Sequence, residues 1–338
     1  MTQRQPLAAR PGRRTILALP GLALAGALAA PRFGQAAAPA AVNGVVISKD
    51  GWLFADWDVL RVVNPPAIAR VTALMGEATG ALKSKGIEVA VALLPARSRL
   101  YPEMLPDGLA LPAGAQQRYA QAAQQLAAAG AIVPDLATAL QAARRAQPAQ
   151  PLFFKGDSHW MPAGAEAAAT AFAREIRGKV ALPPSSKPGA SFGTPVEMEH
   201  IADLARLLPP GQRERFPPQS AMSRPVQAAG GLLAEDDAAD VALVGNSYMQ
   251  PKYGFSAILS YQLQRPVSLL WDVNLVGPWA MLLRYLGSAG FRQQRPRLLV
   301  WTMHELDLEN MPDRTESWGQ NSMPVPRFMS ELRRLVGA

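Results

Sequence analysis

The sequence predicts an α/β domain with a mostly parallel central sheet. Three observations lead there. Apolar runs at 87–94, 241–244 and 267–271 hold a single charge, Glu88, which suits strands buried on both faces. Stretches of helical periodicity separate them. Polar clusters also recur just beyond the apolar runs, at Arg97, Ser247, Asn274, Gly277 and His304-Glu305. Parallel sheets bind their ligands at the carboxyl ends of the strands.

Residues 44–54 read as two short strands around a Lys49-Asp50-Gly51 turn, because Asp-Gly between apolar runs favours a hairpin. A helical pattern covers 66–85 and stops at Gly86. The run 87–94 ends at Pro95, and 95–102 reads as a polar loop. Residues 114–129 are Ala/Gln-rich and helical, 131–136 is a short strand ending in Asp135, and 137–146 is helical. After the apolar run 152–154, Met161-Pro162-Ala163 opens a helix to about Arg177, with proline where the first turn tolerates it. Residues 181–235 lack strong periodicity and contain Pro183-Pro184, Pro209-Pro210-Gly211 and Pro217-Pro218. Stretches that long are often functional; within this one, 200–208 suits one helix. Residues 241–249 form a strand entering a polar turn. Helices follow at roughly 254–264 and 278–289, strands at 267–271 and 297–302, and an amphipathic helix at 326–337.

The formal charge of +8 suggests an anionic partner, but its distribution argues otherwise. Five of the 34 basic residues (Arg4, Arg10, Arg13, Arg14 and Arg32) lie in 1–40, which has no Asp or Glu; the rest of the chain holds 29 basic residues against 26 acidic. No Lys/Arg run remains to track a phosphate backbone, so nucleic acid is not an expected partner. In 1–40, Arg13-Arg14 precede an apolar run to Ala30, then small residues at Gly34 and Ala36 to Ala38. This is the layout of an export signal, and the paired arginines resemble the twin-arginine type. An ordinary secretory signal or a retained inner-membrane anchor is the alternative, though the run is short for a span. Residues 41–338 are expected to form one catalytic domain. The chain has no cysteine, which excludes a disulfide framework and thiolate chemistry.

The three histidines are His159, His200 and His304. His159 lies two residues after Asp157 in Gly156-Asp157-Ser158-His159-Trp160, where an aspartate can fix the imidazole tautomer and leave the other nitrogen as a base. A turn with a helix-capping aspartate is the other reading. Ser247, in Gly245-Asn246-Ser247-Tyr248 after a strand, is placed either to expose its hydroxyl near backbone N–H groups or to cap a helix. Gly156-Asp157-Ser158 spells the opening of many serine esterases, which makes Ser158 a rival nucleophile. Scattered histidines without metal-ligand spacing argue against a metal, and the lack of a glycine-rich phosphate loop argues against a nucleotide cofactor.

Together these pieces resemble the periplasmic alginate O-acetyltransferase family, a branch of the SGNH hydrolase-like superfamily. The likeness covers about 43–310: Lys-Asp-Gly-Trp-Leu-Phe at 49–54, Pro95 with a basic Tyr-Pro loop at 97–102, Asp-x-His-Trp at 157–160 and Gly-x-Ser-Tyr at 245–248, with weaker support from 203–208 and Val300-Trp301. The resemblance implies a three-layer sandwich with circularly permuted motifs. It makes Ser247 the nucleophile, His159 the general base and Asp157 its orienter, with Gly277 and Asn274 as oxyanion candidates. The family's usual asparagine is missing where the last strand ends in Met303-His304-Glu305. Arg97, Arg99, Tyr101, Trp160 and Tyr248 become candidate sugar contacts, and no cofactor is implied. The implied activity is transfer of acetyl, through an acetyl-serine, to an alginate- or cellulose-like exopolysaccharide in the periplasm, with acetyl supplied by a membrane-bound acyltransferase. A carbohydrate acetyl-esterase of the same fold and a non-catalytic polysaccharide-binding protein of the export machinery are the alternatives.

Overall fold

The computed structural model describes residues 41–227, 232–233 and 239–337. The expected export signal in 1–40 lies outside them. Among the described residues, no helix is long and apolar enough to cross a membrane.

In chain order the strands are β1 (Val45–Ile47), β2 (Leu53–Ala55), β3 (Glu88–Leu94), β4 (Ser191–Phe192), β5 (Val196–His200), β6 (Gln219–Ser223), β7 (Val226–Gln227), β8 (Leu232–Leu233), β9 (Val241–Gly245), β10 (Val267–Trp271) and β11 (Leu298–His304). The central sheet has the order β3-β11-β9-β10-β8, and every pairing in it is parallel. Side chains alternate across it. Ala90, Ala92 and Leu94 of β3 join one core with Val241, Leu243 and Val300, beneath helices Pro162–Lys179 and Phe255–Leu263. Val89, Val91 and Leu93 join the opposite core with Ala242, Val244, Leu299 and Trp301, beneath helices Pro65–Lys83, Ala115–Ala128, Gly277–Leu286 and Val325–Val336. Strands apolar on both faces thus lie between two helical layers, the arrangement that continuous apolar runs demand. This is a three-layer α/β sandwich, the architecture that the resemblance implies.

Residues 44–54 form the expected hairpin, β1 pairing antiparallel with β2; Asp50 and Gly51 take positive φ in the turn. Three regions differ from expectation. Residues 131–136 contribute only a bridge at Ile132, beside Ala90, and Asp135 caps helix Leu136–Ala146 by accepting from Thr138 N at 3.0 Å. Residues 95–102 are not a solvated loop: Arg97–Leu100 is a helical turn with Arg97, Ser98 and Leu100 buried. In 200–208 the helix is limited to Asp203–Leu207, because His200 ends β5, which pairs with β6.

Candidate active site

The carboxyl edge of the sheet brings three distant segments together. After β9 the chain enters the 3-10 turn Ser247–Met249. Asn246 caps it by accepting from Tyr248 N at 3.2 Å, which frees the Ser247 hydroxyl from a capping role. Gly245 is needed beneath it, since a Cβ there would lie 2.5 Å from Thr302 Oγ1 and 2.6 Å from Met249 Cγ. The second segment is the loop 152–161. It is pinched shut by a Phe153–Trp160 bridge and by Met161 N donating to Leu152 O at 2.8 Å. The third is the β5–β6 hairpin.

These elements build a continuous relay. Ser247 Oγ lies 2.7 Å from His159 Nε2, and His159 Nδ1 lies 2.7 Å from Asp157 Oδ1. The carboxylate requires a proton on Nδ1, so Nε2 presents its lone pair to the hydroxyl. Asp157 is fully buried. Burial alone would raise its pKa, but hydrogen bonds from His159 and His200 hold it well below the usual carboxylate range. Asp157 Oδ1 also accepts from His159 N at 3.0 Å, while Oδ2 accepts from His200 Nε2 at 2.5 Å.

Ser158 is the spacer in this loop. Its carbonyl accepts from the Tyr248 hydroxyl, and the His159 base faces Ser247 instead.

Five residues expected to meet a sugar are placed otherwise. Arg97 is 2% exposed, and its guanidinium donates to the carbonyls of Leu53, Phe154, Lys155 and Asp157. Arg99 pairs with buried Glu305 and donates to the carbonyls of Ala115 and Gln116. The Tyr101 hydroxyl accepts from Leu152 N at 3.0 Å. Trp160 is fully buried, with Nε1 donating to Tyr248 O at 3.0 Å. Tyr248 is buried too, and burial pushes its phenol far above its ordinary pKa. Each side chain is already committed to the protein.

The oxyanion expectation also changes. Gly277 and Asn274 line a cavity of about 10 Å³ with Asn246, Thr302, His304 and Asp307, room for one water-sized group. The Gly277 N–H closes a turn onto Asn274 O, and Asn274 Oδ1 accepts from Asn246 Nδ2 at 3.1 Å. Ser247 N–H, the first amide of its turn, has no partner within that turn. His304 Nδ1 accepts from Leu306 N at 3.2 Å, and burial pushes this histidine down to about 4, so it is neutral near pH 7. Asp157, His159 and Asp203 place possible ligand atoms within 4.8 Å of one another. Both Asp157 oxygens and both His159 nitrogens are engaged in hydrogen bonds, so this set is a poor metal site.

His200 is the residue that sequence reasoning missed. It lies 43 positions from Asp157 on a strand in an irregular stretch. No local spacing announces the contact; only the folded hairpin brings the two together.

A hydroxyl–imidazole–carboxylate relay at the carboxyl edge of a parallel sheet, between two helical layers, is the site of a serine-dependent hydrolase or acyltransferase of α/β type, and the SGNH hydrolase-like class is one of these. Residues 45–305 match the family described as SGNH hydrolase-like domain, acetyltransferase AlgX, and the chain belongs to that family. It is 33% identical over 281 residues to "Probable alginate O-acetylase AlgJ" of Pseudomonas aeruginosa, covering 78% of this chain and 70% of that protein. It is 26% identical over 289 residues to "Alginate biosynthesis protein AlgX" of Pseudomonas putida, covering 79% of this chain and 58% of that one. Among solved structures, the O-acetyltransferase domain of Pseudomonas putida AlgJ superposes with a TM-score of 0.72 at 26% identity, over 86% of this chain and 99% of that domain.

Proposed function

We propose that this protein is an exported O-acetyltransferase that moves acetyl groups onto the hydroxyls of an alginate-like exopolysaccharide. The observation that carries the reading is the unbroken relay from Ser247 Oγ through His159 to Asp157 in a member of an acetyltransferase family. The alginate names of the relatives support the substrate class.

In this reading, His159 Nε2 takes the Ser247 proton as Oγ attacks the acetyl carbonyl carbon of the donor. The tetrahedral intermediate places its oxyanion toward the Ser247 N–H. It collapses to acetyl-serine as the bond to the leaving oxygen breaks, and His159 returns the proton to that oxygen. A sugar hydroxyl then attacks the acetyl-serine, giving its proton to His159. Collapse releases the sugar acetate and restores the Ser247 hydroxyl. Asp157 stays ionised throughout and stabilises the imidazolium. Acetyl reaches the site from a membrane-bound acyltransferase, and the signal at 1–40 carries the chain to the periplasm.

The test uses a nitrophenyl acetate donor with mannuronate or cello-oligosaccharide acceptors, read by mass spectrometry. The expected result is acetylated mannuronate oligosaccharide from the wild type and loss of turnover in Ser247→Ala. Full turnover in Ser247→Ala overturns the nucleophile. Release of acetate to water with no acetylated sugar makes the protein an esterase.

A further inference from the structure

We infer that His200 is a positioning residue of the relay, holding the second oxygen of Asp157 and setting how strongly that carboxylate acts on His159. The inference rests on the triad reading above and deepens it.

Asp157 has two oxygens and the fold gives each an imidazole. Oδ1 takes the His159 Nδ1–H, and Oδ2 takes the His200 Nε2–H at 2.5 Å. A buried carboxylate with one oxygen unmatched pays a desolvation penalty and is held from one side only. With both matched, its plane is fixed, and so is the tilt of the His159 ring. The His200 ring is itself held. It stacks on Phe154 at 4.1 Å between centroids and meets the edge of Tyr253 at 6.0 Å.

The hairpin that carries His200 grips the same loop twice. His200 on β5 is the cross-strand partner of Gln219 on β6. Gln219 Oε1 accepts from Lys155 N at 2.7 Å and from Gly156 N at 3.3 Å. One cross-strand pair therefore binds both the backbone before Asp157 and the Asp157 carboxylate. A side chain needed only to fill the core requires neither bond.

The arrangement also divides charge. A hydrogen bond donated to a carboxylate draws negative charge away from its other oxygen. Without the His200 donor, more charge rests on Oδ1, the oxygen that faces His159 Nδ1. Other groups facing the pair are Arg97, donating to the Asp157 carbonyl; Asp203, from the helix after β5; Tyr253 and Tyr248, whose rings lie 5.4 and 4.9 Å from His159; and His304, whose ring lies 5.3 Å from Tyr248. All are unchanged when His200 alone is replaced.

The experiment compares His200→Met and His200→Gln with the wild type in the pH profile of kcat/KM for a nitrophenyl acetate, with Ser247→Ala as the control for the triad reading. In His200→Met the acid limb is expected to move up by about one pH unit, because a charge-assisted hydrogen bond to Asp157 is lost. The rate at the plateau falls about tenfold. In His200→Gln, whose amide still donates to Oδ2, the acid limb returns to the wild-type position. An unmoved acid limb in His200→Met, with activity falling only as melting temperature falls, overturns the inference and leaves the triad intact. Full activity in Ser247→Ala overturns the triad reading instead. If His200→Met does not fold, low-field proton NMR of the wild type and His200→Gln decides. Two hydrogen-bonded imidazole N–H signals, of which His200→Gln keeps one, are expected; one signal shared by both proteins overturns the inference.

Discussion

Replacing Arg97 separates two roles that one arginine can have beside an active site. Its guanidinium is buried and donates to four backbone carbonyls, two of them at 2.6 and 3.1 Å. The charge also lies over the rings of Phe54, at 4.6 Å, and Trp52, at 5.2 Å. Three of the carbonyls belong to the Asp157 loop and the fourth to β2, so the side chain ties hairpin β1–β2 to the loop that carries the carboxylate and the base. Arg97→Met takes the arginine donor from the carbonyls of Leu53, Phe154 and Asp157, whereas Lys155 O still accepts from Leu53 N at 2.9 Å. Each unsatisfied group costs about 1–3 kcal/mol, but the variant also removes a buried charge, so we expect a net loss of roughly 3–5 kcal/mol. That is a large share of the ~5–15 kcal/mol that holds a typical domain folded, and it corresponds to a fall in melting temperature of about 10 °C. Arg97→Lys keeps the charge but loses the planar fork, and about half the effect is expected. The assay is thermal unfolding followed by circular dichroism, run beside kcat and KM on an acetyl ester. A melting temperature within about 2 °C of wild type in both variants, together with a raised KM, would refute the reasoning and return Arg97 to the role of a substrate contact.

Two further variants test the surroundings of the cavity. Gly277 has φ +75°, and a Cβ there would lie 2.6 Å from the Trp318 ring, so Gly277→Ala is expected to cost at least about 2 kcal/mol in denaturant unfolding; a loss below about 0.5 kcal/mol would contradict that packing. Burial pushes the Asp307 carboxyl up to about 6 against hydrogen bonds from Asn274 and Asn310. A carboxyl whose folded pKa is raised takes up a proton on folding, so wild-type stability falls as pH rises from about 4 to about 6 and then levels. Asp307→Asn lacks that loss. Its melting temperature relative to wild type is expected to climb across that interval, and a difference independent of pH would show that Asp307 is not perturbed.

The readable parts of the sequence were those whose physics is local. Runs 87–94, 241–244 and 267–271 became β3, β9 and β10 because a strand covered on both faces needs continuous apolar sequence, and runs this short suit a strand better than a buried helix. Asp157 and His159 stand two apart, so their pairing was one of the two readings that spacing allowed, and the family resemblance favoured it. Residues 97–101 misled because arginines after a strand look solvated in one dimension. Only the tertiary fold shows four carbonyls converging on Arg97 and a buried Glu305 awaiting Arg99. His200 failed for a related reason. β5 reads Val-Glu-Met-Glu-His, mostly exposed, and carries no buried-strand signal. Its function lies wholly in a contact across the fold.

The position of β11 has a consequence for how the protein comes into being. This strand is made late, yet it pairs with β3 on one side and β9 on the other. During synthesis the edge of β3 opposite its bridge to Ile132 stays open while some two hundred residues follow it, and β9 can pair with β10 but keeps its other edge open. Long-range parallel pairing is slow, and open strand edges invite other chains. The last large gap in the sheet closes only when 298–304 inserts, and that step brings the Ser247 strand into register with the half of the molecule that includes β3. A ribosome-bound chain short of β11 is therefore an aggregation hazard without a finished reaction centre, and a chaperone has most to protect in that interval.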